Sequence, residues 1–437
     1  MTLFADQKPT KPSQTQIILR CFSYLRPHWK LTAGAYLMML LIDLINMLNP
    51  QLIRWAIDNG IRAKQTSLMA LAVVALLGLV IIKGVFTYLQ GVWTEVASQN
   101  VAYDLRNEIQ HKITQLSFSF HDQAEAGDLL SRSIQDVERI RFLTGRATFR
   151  VTEGIFLMLI TAVVMIWMNA RLGLLAIVAM PLLVIQSIRF GRVFRPLSAQ
   201  IQKQLAVLTT RVEQNLRGVR VVKSFAQEEA EIERFEKENK HWFDLSAYAA
   251  RLQATNMPLL HLIANISSVV ILWYGGSLVI NGGLSLGELV AFTVYLAQLI
   301  SPVRFLGMIL PAISMASASA ERVFEILDAV PEVREEPDAI PLVAKRGHIR
   351  FEHVSFSYTK QAMRNIASEV LKDINFEVLP DQVVALLGPT GSGKTTIVNL
   401  IPRFYDPTEG RVTIDGIDIK KVTLNSLRSQ IGMVLQE

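Results

Sequence analysis

A single cysteine, Cys21, stands in 437 residues, which excludes an internal disulfide framework and any metal site built from several thiolates. Charge is also scarce. Asp, Glu, Lys and Arg make up 19% of the chain, below the roughly 25% usual for soluble domains. The first residues hold no apolar core, so they do not read as a cleavable leader. Met1 to Gln16 read as a short cytoplasmic tail. The formal net charge is +6, but the basic residues are not gathered into one tail or helix, which argues against a nucleic-acid partner. They sit instead beside apolar stretches, as Lys and Arg do on the cytoplasmic side of a lipid bilayer.

Those apolar stretches are what the chain has in plenty: hydrophobic residues make up 51% of it. A helix needs about 20 mostly apolar residues to cross a bilayer. Six stretches approach or meet that length: Leu31 to Leu48, Leu68 to Val85, Val151 to Met168, Leu172 to Ile188, Met257 to Ile280 and Leu289 to Leu310. Short connectors join the first to the second, the third to the fourth and the fifth to the sixth. The last connector, Asn281-Gly282-Gly283, is uncharged. The segments from Gly91 to Arg150 and from Phe190 to Asn256 are long and basic, with Arg106, Lys112, Arg132, Arg189, Arg192, Arg195 and Lys203. Basic flanks place both long segments, and the N-terminus with Arg20, Arg26 and Lys30, on the cytoplasmic side of a multi-pass protein.

The long segments do not read as loops. Apolar residues recur at helical spacing in Leu105, Ile109, Ile113 and Leu116. Each segment reads as a helical hairpin that leaves the membrane, with tips near Phe118 to Leu129 and Arg217 to Gln227. Ile17 to Tyr24 reads as an amphipathic helix on the membrane surface. After Pro331 the pattern changes. Pro331, Pro337 and Pro341, mixed with acids, read as a linker. Short β-branched and aromatic runs follow at His348 to Phe356, Ile374 to Val378 and Val383 to Leu387. The expected organisation is residues 1–30 as tail and surface helix, 31–328 as a transmembrane domain, 329–345 as linker and 346–437 as a soluble domain.

In that domain, Gly388-Pro389-Thr390-Gly391-Ser392-Gly393-Lys394-Thr395-Thr396 matches G-x-x-x-x-G-K-[ST]. The run Val383 to Leu387 is expected as a buried strand before it, and Thr395 to Ile401 as a helix after it. The glycines let backbone N–H groups turn inward around phosphate oxygens. The helix points its positive end at the same anion. Lys394 adds a full charge near the outer phosphates, and the Thr395 hydroxyl can bind Mg²⁺.

With these motifs in place, the chain resembles the ABC exporters, specifically bacterial half-transporters of the multidrug and lipid-exporter type. The resemblance covers essentially the whole chain. Phe356-Ser357-Tyr358 is similar to the family's adenine-stacking segment, which implies Tyr358 against the base. Gly410 to Gly416 resembles the hairpin after the first helix. Val434 to Glu437 resembles the glutamine loop, which implies that Gln436 reaches Mg²⁺ and the attacking water. Gly127 to Arg132 with Asp136 resembles the first intracellular loop, Glu213 to Glu228 the second, and Ala316 to Leu327 the exit from the last span. Phe404, Tyr405 and Asp406 fall where the family packs against its coupling helices, although an ordinary core role fits them equally.

The resemblance implies a fold: an all-α transmembrane domain of six helices (the type 1 ABC exporter fold) followed by the N-terminal part of an α/β P-loop nucleotide-binding domain. It implies a partner, a second half-transporter in a homodimer or heterodimer, and two ATP molecules with Mg²⁺ held between the nucleotide domains. It implies ATP-driven export of a small amphipathic molecule, lipid or peptide across the bacterial inner membrane. The family's signature segment, catalytic glutamate and switch histidine follow the glutamine loop and do not occur within these residues. This chain alone is therefore expected to hydrolyse no ATP. The alternatives are a non-catalytic ATP-binding membrane subunit and a membrane-anchored P-loop NTPase of another class. Asp43, Lys83, His261 and Arg304 are ionisable residues in or near the spans. Ionisable groups there are costly and often functional; the plain reading is that they lie near the helix ends, snorkel, or face the aqueous cavity without touching substrate, and a substrate or gating role is the lesser alternative, weighed first for Asp43.

Overall fold

The computed structural model describes residues 13–343, 346–358 and 369–434, apart from the side chains of 179, 180, 264, 300, 301, 303–308, 310 and 311 in the spanning helices. Residues 1–12 of the expected tail and Gln436 lie outside the described residues, and so does the side chain of Arg304. The chain divides into two compact units, Met1–Asp104 with Glu138–Ala320, and Leu105–Val137 with Glu321–Glu437.

The first unit is helical, as hydrocarbon requires, because a helix satisfies its own backbone groups. A surface helix, α1 (Gln14–Ser23), opens it under a capping box between Ser13 and Gln16. The long helices are α2 (Trp29–Trp55), α3 (Thr66–Gln115), α7 (Thr148–Met168), α8 (Ala170–Arg217), α10 (Glu228–Ile280) and α11 (Leu286–Asp328). Among the described residues, five helical segments are long and apolar enough to cross a membrane. The described apolar run of α11 is Leu286–Leu299. Leu71, Val74, Leu77 and Ile81 of α3 are exposed, an outward apolar face suited to lipid.

Helix ends are set locally. Asn169 breaks α7 from α8 in an extended conformation, and its side chain accepts from Leu172 N–H at 3.1 Å. The bend is tight: a Cβ on Gly173 would lie 2.8 Å from the Ile166 nitrogen. The core joins Met47, Met165, Leu172, Ile271, Phe292, Tyr295 and Leu299. The Tyr295 hydroxyl donates to the Met47 carbonyl at 2.6 Å, which satisfies a buried polar group. At the second hairpin, α8 and α10 pair through Gln186–Asn256 (3.0 Å) and Gln204–Glu238 (2.7 Å) and meet at α9 (Val219–Ser224), on the tip expected.

The second unit contains the tip of the first hairpin, α4 (Phe118–Gln123) and α5 (Ala126–Ser131), then a π-helical turn over Arg132–Asp136 that leads into α6 (Val137–Phe142). It also contains a sheet of β1 (Ile349–Phe356), β2 (Leu371–Val378), β3 (Glu409–Ile414) and β4 (Ile417–Asp418), with α12 (Lys394–Leu400) and α13 (Leu424–Arg428). The order is β2-β1-β3-β4 and every pairing is antiparallel. Phe351 pairs with Phe376 on one side and Val412 on the other, and the two phenyl rings stack at 4.6 Å. The Pro-rich stretch is tied down where Ile340 bridges Val422 and Leu342 is buried.

One expectation needs correction. Val383 to Leu387 does not form a buried strand: it joins no ladder, and Val383 is 99% exposed. A strand needs neighbours to take its N–H and C=O groups, and the sheet of β2-β1-β3-β4 offers this segment none.

Candidate functional site

The glycine loop follows that extended segment. Gly391 and Gly393 have φ of +85° and +87°, the left-handed region in which glycine is at ease. Each reversal turns the backbone, and α12 starts at Lys394 directly after the second. Lys394 folds back across the loop. Its Nζ donates to the carbonyls of Gly388 (2.9 Å) and Pro389 (2.8 Å) and reaches Ser392 Oγ at 3.4 Å. The cation is thus held against the loop at the start of α12; glycine loops that open a helix in this way suit an anion. Thr395 is exposed at the first turn of α12, while Thr396 beside it is buried.

Tyr358 is brought to this loop. Its hydroxyl shares a hydrogen bond with Thr396 Oγ1 at 2.9 Å. Its ring meets Phe356 and Tyr405 edge-on, at 4.8 and 5.2 Å between centroids, and stays 41% exposed. Tyr405 in turn donates to Asp122 Oδ2 on α4 at 2.6 Å. Burial, then the Asp122 carboxylate, pushes the Tyr405 hydroxyl well above its ordinary range, so it remains a donor. Phe404 stacks on Phe118 of α4 at 4.1 Å. Ser119, Asp122, Gln123, Tyr358, Asn399 and Tyr405 line a cleft of about 440 Å³. Both expectations for Phe404 and Tyr405 therefore hold: Tyr405 belongs to the core with Phe351 and Leu400, and the pair packs on the hairpin tip.

Two arginines escaped the sequence reading. Arg403, 3% exposed, pairs with Asp406 at 2.7 Å and donates to the carbonyls of Arg334 and Lys420, which locks the turn after α12 to the linker. Arg322, near the end of α11, donates twice to Asp136, at 2.8 and 2.5 Å. Arg132 adds a pair with Glu325 at 3.0 Å. Apart from Asp406, three residues from Arg403, these partners lie too far apart in sequence for spacing to reveal them.

Of the residues expected at the site, Gly388 to Thr396 form one loop with Tyr358 against its helix, and Gln436 lies outside the described residues. Among the described residues no three His, Cys, Asp or Glu side chains gather as a metal site.

Comparison with known proteins agrees with this geometry. Residues 34–303 match the family described as the ABC transporter transmembrane region, and residues 371–437 match the ABC transporter family. The chain is 32% identical over 422 residues to the ATP-dependent lipid A-core flippase of Desulfotalea psychrophila, covering 97% of this chain and 73% of that protein. It is 33% identical to the uncharacterized ABC transporter ATP-binding protein YknU of Bacillus subtilis, covering 95% and 70%. It is 30% identical to the putative multidrug export ATP-binding/permease protein YgaD of the same organism, covering 96% and 73%.

Proposed function

The chain belongs to the ABC transporter family, and from that premise we propose that it is one half of a dimeric, ATP-driven exporter of a small amphipathic molecule, lipid or peptide. The observation that supports this most is the covalent union of apolar spanning helices with a glycine loop over which Lys394 is folded. In this reading Gly388 to Thr396 surround the phosphates of ATP and Tyr358 stacks on the base. Thr395 and Gln436 would hold Mg²⁺, which neutralises phosphate charge when bound. Nucleotide at Tyr358 competes with its bond to Thr396, and Tyr405 passes the change to Asp122 on α4. The similarity to a lipid A-core flippase and a putative multidrug exporter supports an amphipathic cargo. Basic flanks support a cytoplasmic nucleotide domain in the bacterial inner membrane.

A polypeptide of residues 1–437 is proposed to bind nucleotide without turning it over, since none of these residues supplies the family's hydrolytic glutamate. Fluorescent ATP binding to the purified chain in lipid nanodiscs tests the first part. Lys394→Ala should weaken binding at least about tenfold, the scale of one lost charge contact to phosphate. Wild-type affinity in that variant would remove the phosphate assignment, and steady-state ATP turnover by the 437-residue chain would overturn the second part.

A further inference from the structure

Inside the spanning part of the first unit, four helices bring polar groups together. Asp43 of α2 is 1% exposed, and neither carboxylate oxygen has a hydrogen-bond partner among the described residues. Glu153 of α7 and Lys83 of α3 act on it through their charge, and the Asn46 side-chain amide, one turn along α2, is its polar neighbour. The Lys83 ammonium is turned to Asn46 Oδ1, to which it donates at 2.7 Å. Glu153 pairs with Arg150 at 3.4 Å, but that arginine side chain is 63% exposed. Gln298 of α11 donates to the Asn46 carbonyl at 3.3 Å and leaves its own Oε1 buried without a partner.

Aromatic rings lie beside the acids. Phe149 sits one turn before Glu153 on α7 and meets Tyr36 of α2 at 5.3 Å between centroids. Trp93 packs on the same cluster, with Met39 one turn before Asp43.

An unpartnered carboxyl among apolar helices is expensive to keep. The nearby cations are already engaged, Lys83 by an amide oxygen and Arg150 by Glu153 at the exposed edge. What Asp43 lacks is a cation bonded to it, and the Tyr36 and Phe149 faces near Glu153 also favour one. An anionic group would meet two carboxyl groups and a Lys83 already held by Asn46. We propose that Asp43 and Glu153, with Tyr36 and Phe149 next to Glu153, form a recognition site for a lipophilic organic cation, an amine or quaternary centre on an apolar body. This names the cargo class and so rests on the exporter reading.

Tetraphenylphosphonium and tetraphenylborate have the same shape and opposite charge, and they separate charge recognition from greasiness. Equilibrium dialysis of the radiolabelled phosphonium against the full chain in nucleotide-free nanodiscs should show saturable binding that the borate does not displace. Asp43→Asn and Glu153→Gln should each weaken it about tenfold or more, and Lys83→Met should tighten it. Equal binding of the borate, or wild-type affinity in the Asp43→Asn/Glu153→Gln pair, would overturn the site. Should Asp43→Asn fail to fold by circular dichroism, Glu153→Gln and Lys83→Met decide, as both side chains are only half-buried. Fluorescent ATP binding to the same nanodiscs is measured alongside. Cation binding as expected with no ATP binding defeats the exporter reading and leaves the site. ATP binding with no cation binding defeats the site and leaves the exporter.

Discussion

At Gly393, a Cβ would lie 2.7 Å from a Leu371 methyl and 3.2 Å from the Val370 carbonyl, with φ at +87°. Both the backbone and the space exclude a side chain there. Gly393→Ala should therefore cost roughly 1–3 kcal/mol of local stability and reduce nucleotide affinity together with thermal stability. Unchanged ATP binding and an unchanged melting temperature would show that the turn is not needed. Cys21 makes a different case. It is fully buried on α1, and burial pushes its thiol from 9.0 up to about 12. The thiolate population at pH 8 should be about a thousandfold below that of a free cysteine, and maleimide should label the chain only after denaturation. The sign of the linked stability follows. Below pH 9 the thiol is protonated folded or unfolded. Between about pH 9 and about 12 only the folded thiol keeps its proton, so stability falls as pH rises through that window. Labelling of the native chain at the rate of a free thiol would contradict this.

Among elements, the helical hairpins were legible because each carries its own signal. Leu105, Ile109, Ile113 and Leu116 lie in α3 and the tail just beyond it, and the breaks fall at α4 and α9 as their spacing suggests. The glycine loop was legible for the same reason: Gly391, Gly393 and Lys394 define it locally. Val383 to Leu387 was misread because a strand exists only with a neighbour, and composition cannot say whether a neighbour is present. Arg322 and Asp136 were invisible as a pair because they lie 186 positions apart. Their pairing ties the exit of α11 to the π-helical turn of the first hairpin. Asp136 is 2% exposed and accepts two hydrogen bonds, whereas the Arg322 side chain is 40% exposed. Asp136→Asn should therefore cost about 1–3 kcal/mol rather than the full penalty of a buried broken pair. Hydrogen exchange over residues 126–142 should accelerate in this variant while the β1–β2 ladder stays protected. Exchange unchanged from wild type would show that the hairpin is held by packing alone.

For the whole molecule, the lasting question is which way the helices run across the bilayer, and the sequence bears on it through charge alone. The connector after α10, Asn281-Gly282-Gly283, has no charge, and its backbone turns back with Gly282 at φ +76°. At the opposite end of α10, the α9 tip carries Arg217, Arg220 and Lys223, with Lys223 paired to Glu228 at 2.8 Å. A bilayer whose inner side retains basic residues should hold α9 in the cytoplasm and the glycine connector outside. Because α10 is 53 residues long, about 80 Å at 1.5 Å per residue, it can both cross the hydrocarbon and reach far beyond it. The buried Cys21 leaves the chain silent to thiol reagents, so single cysteines can be introduced without background. Asn281→Cys should react with a membrane-impermeant maleimide in intact cells, and Ser224→Cys only after the membrane is opened. Both positions face solvent in the folded unit, Asn281 beyond the end of α10 and Ser224 at the end of α9. Failure to label therefore reports sidedness rather than burial. The reverse pattern would place the basic hairpins outside and remove the charge argument on which the cytoplasmic assignment of the nucleotide loop depends.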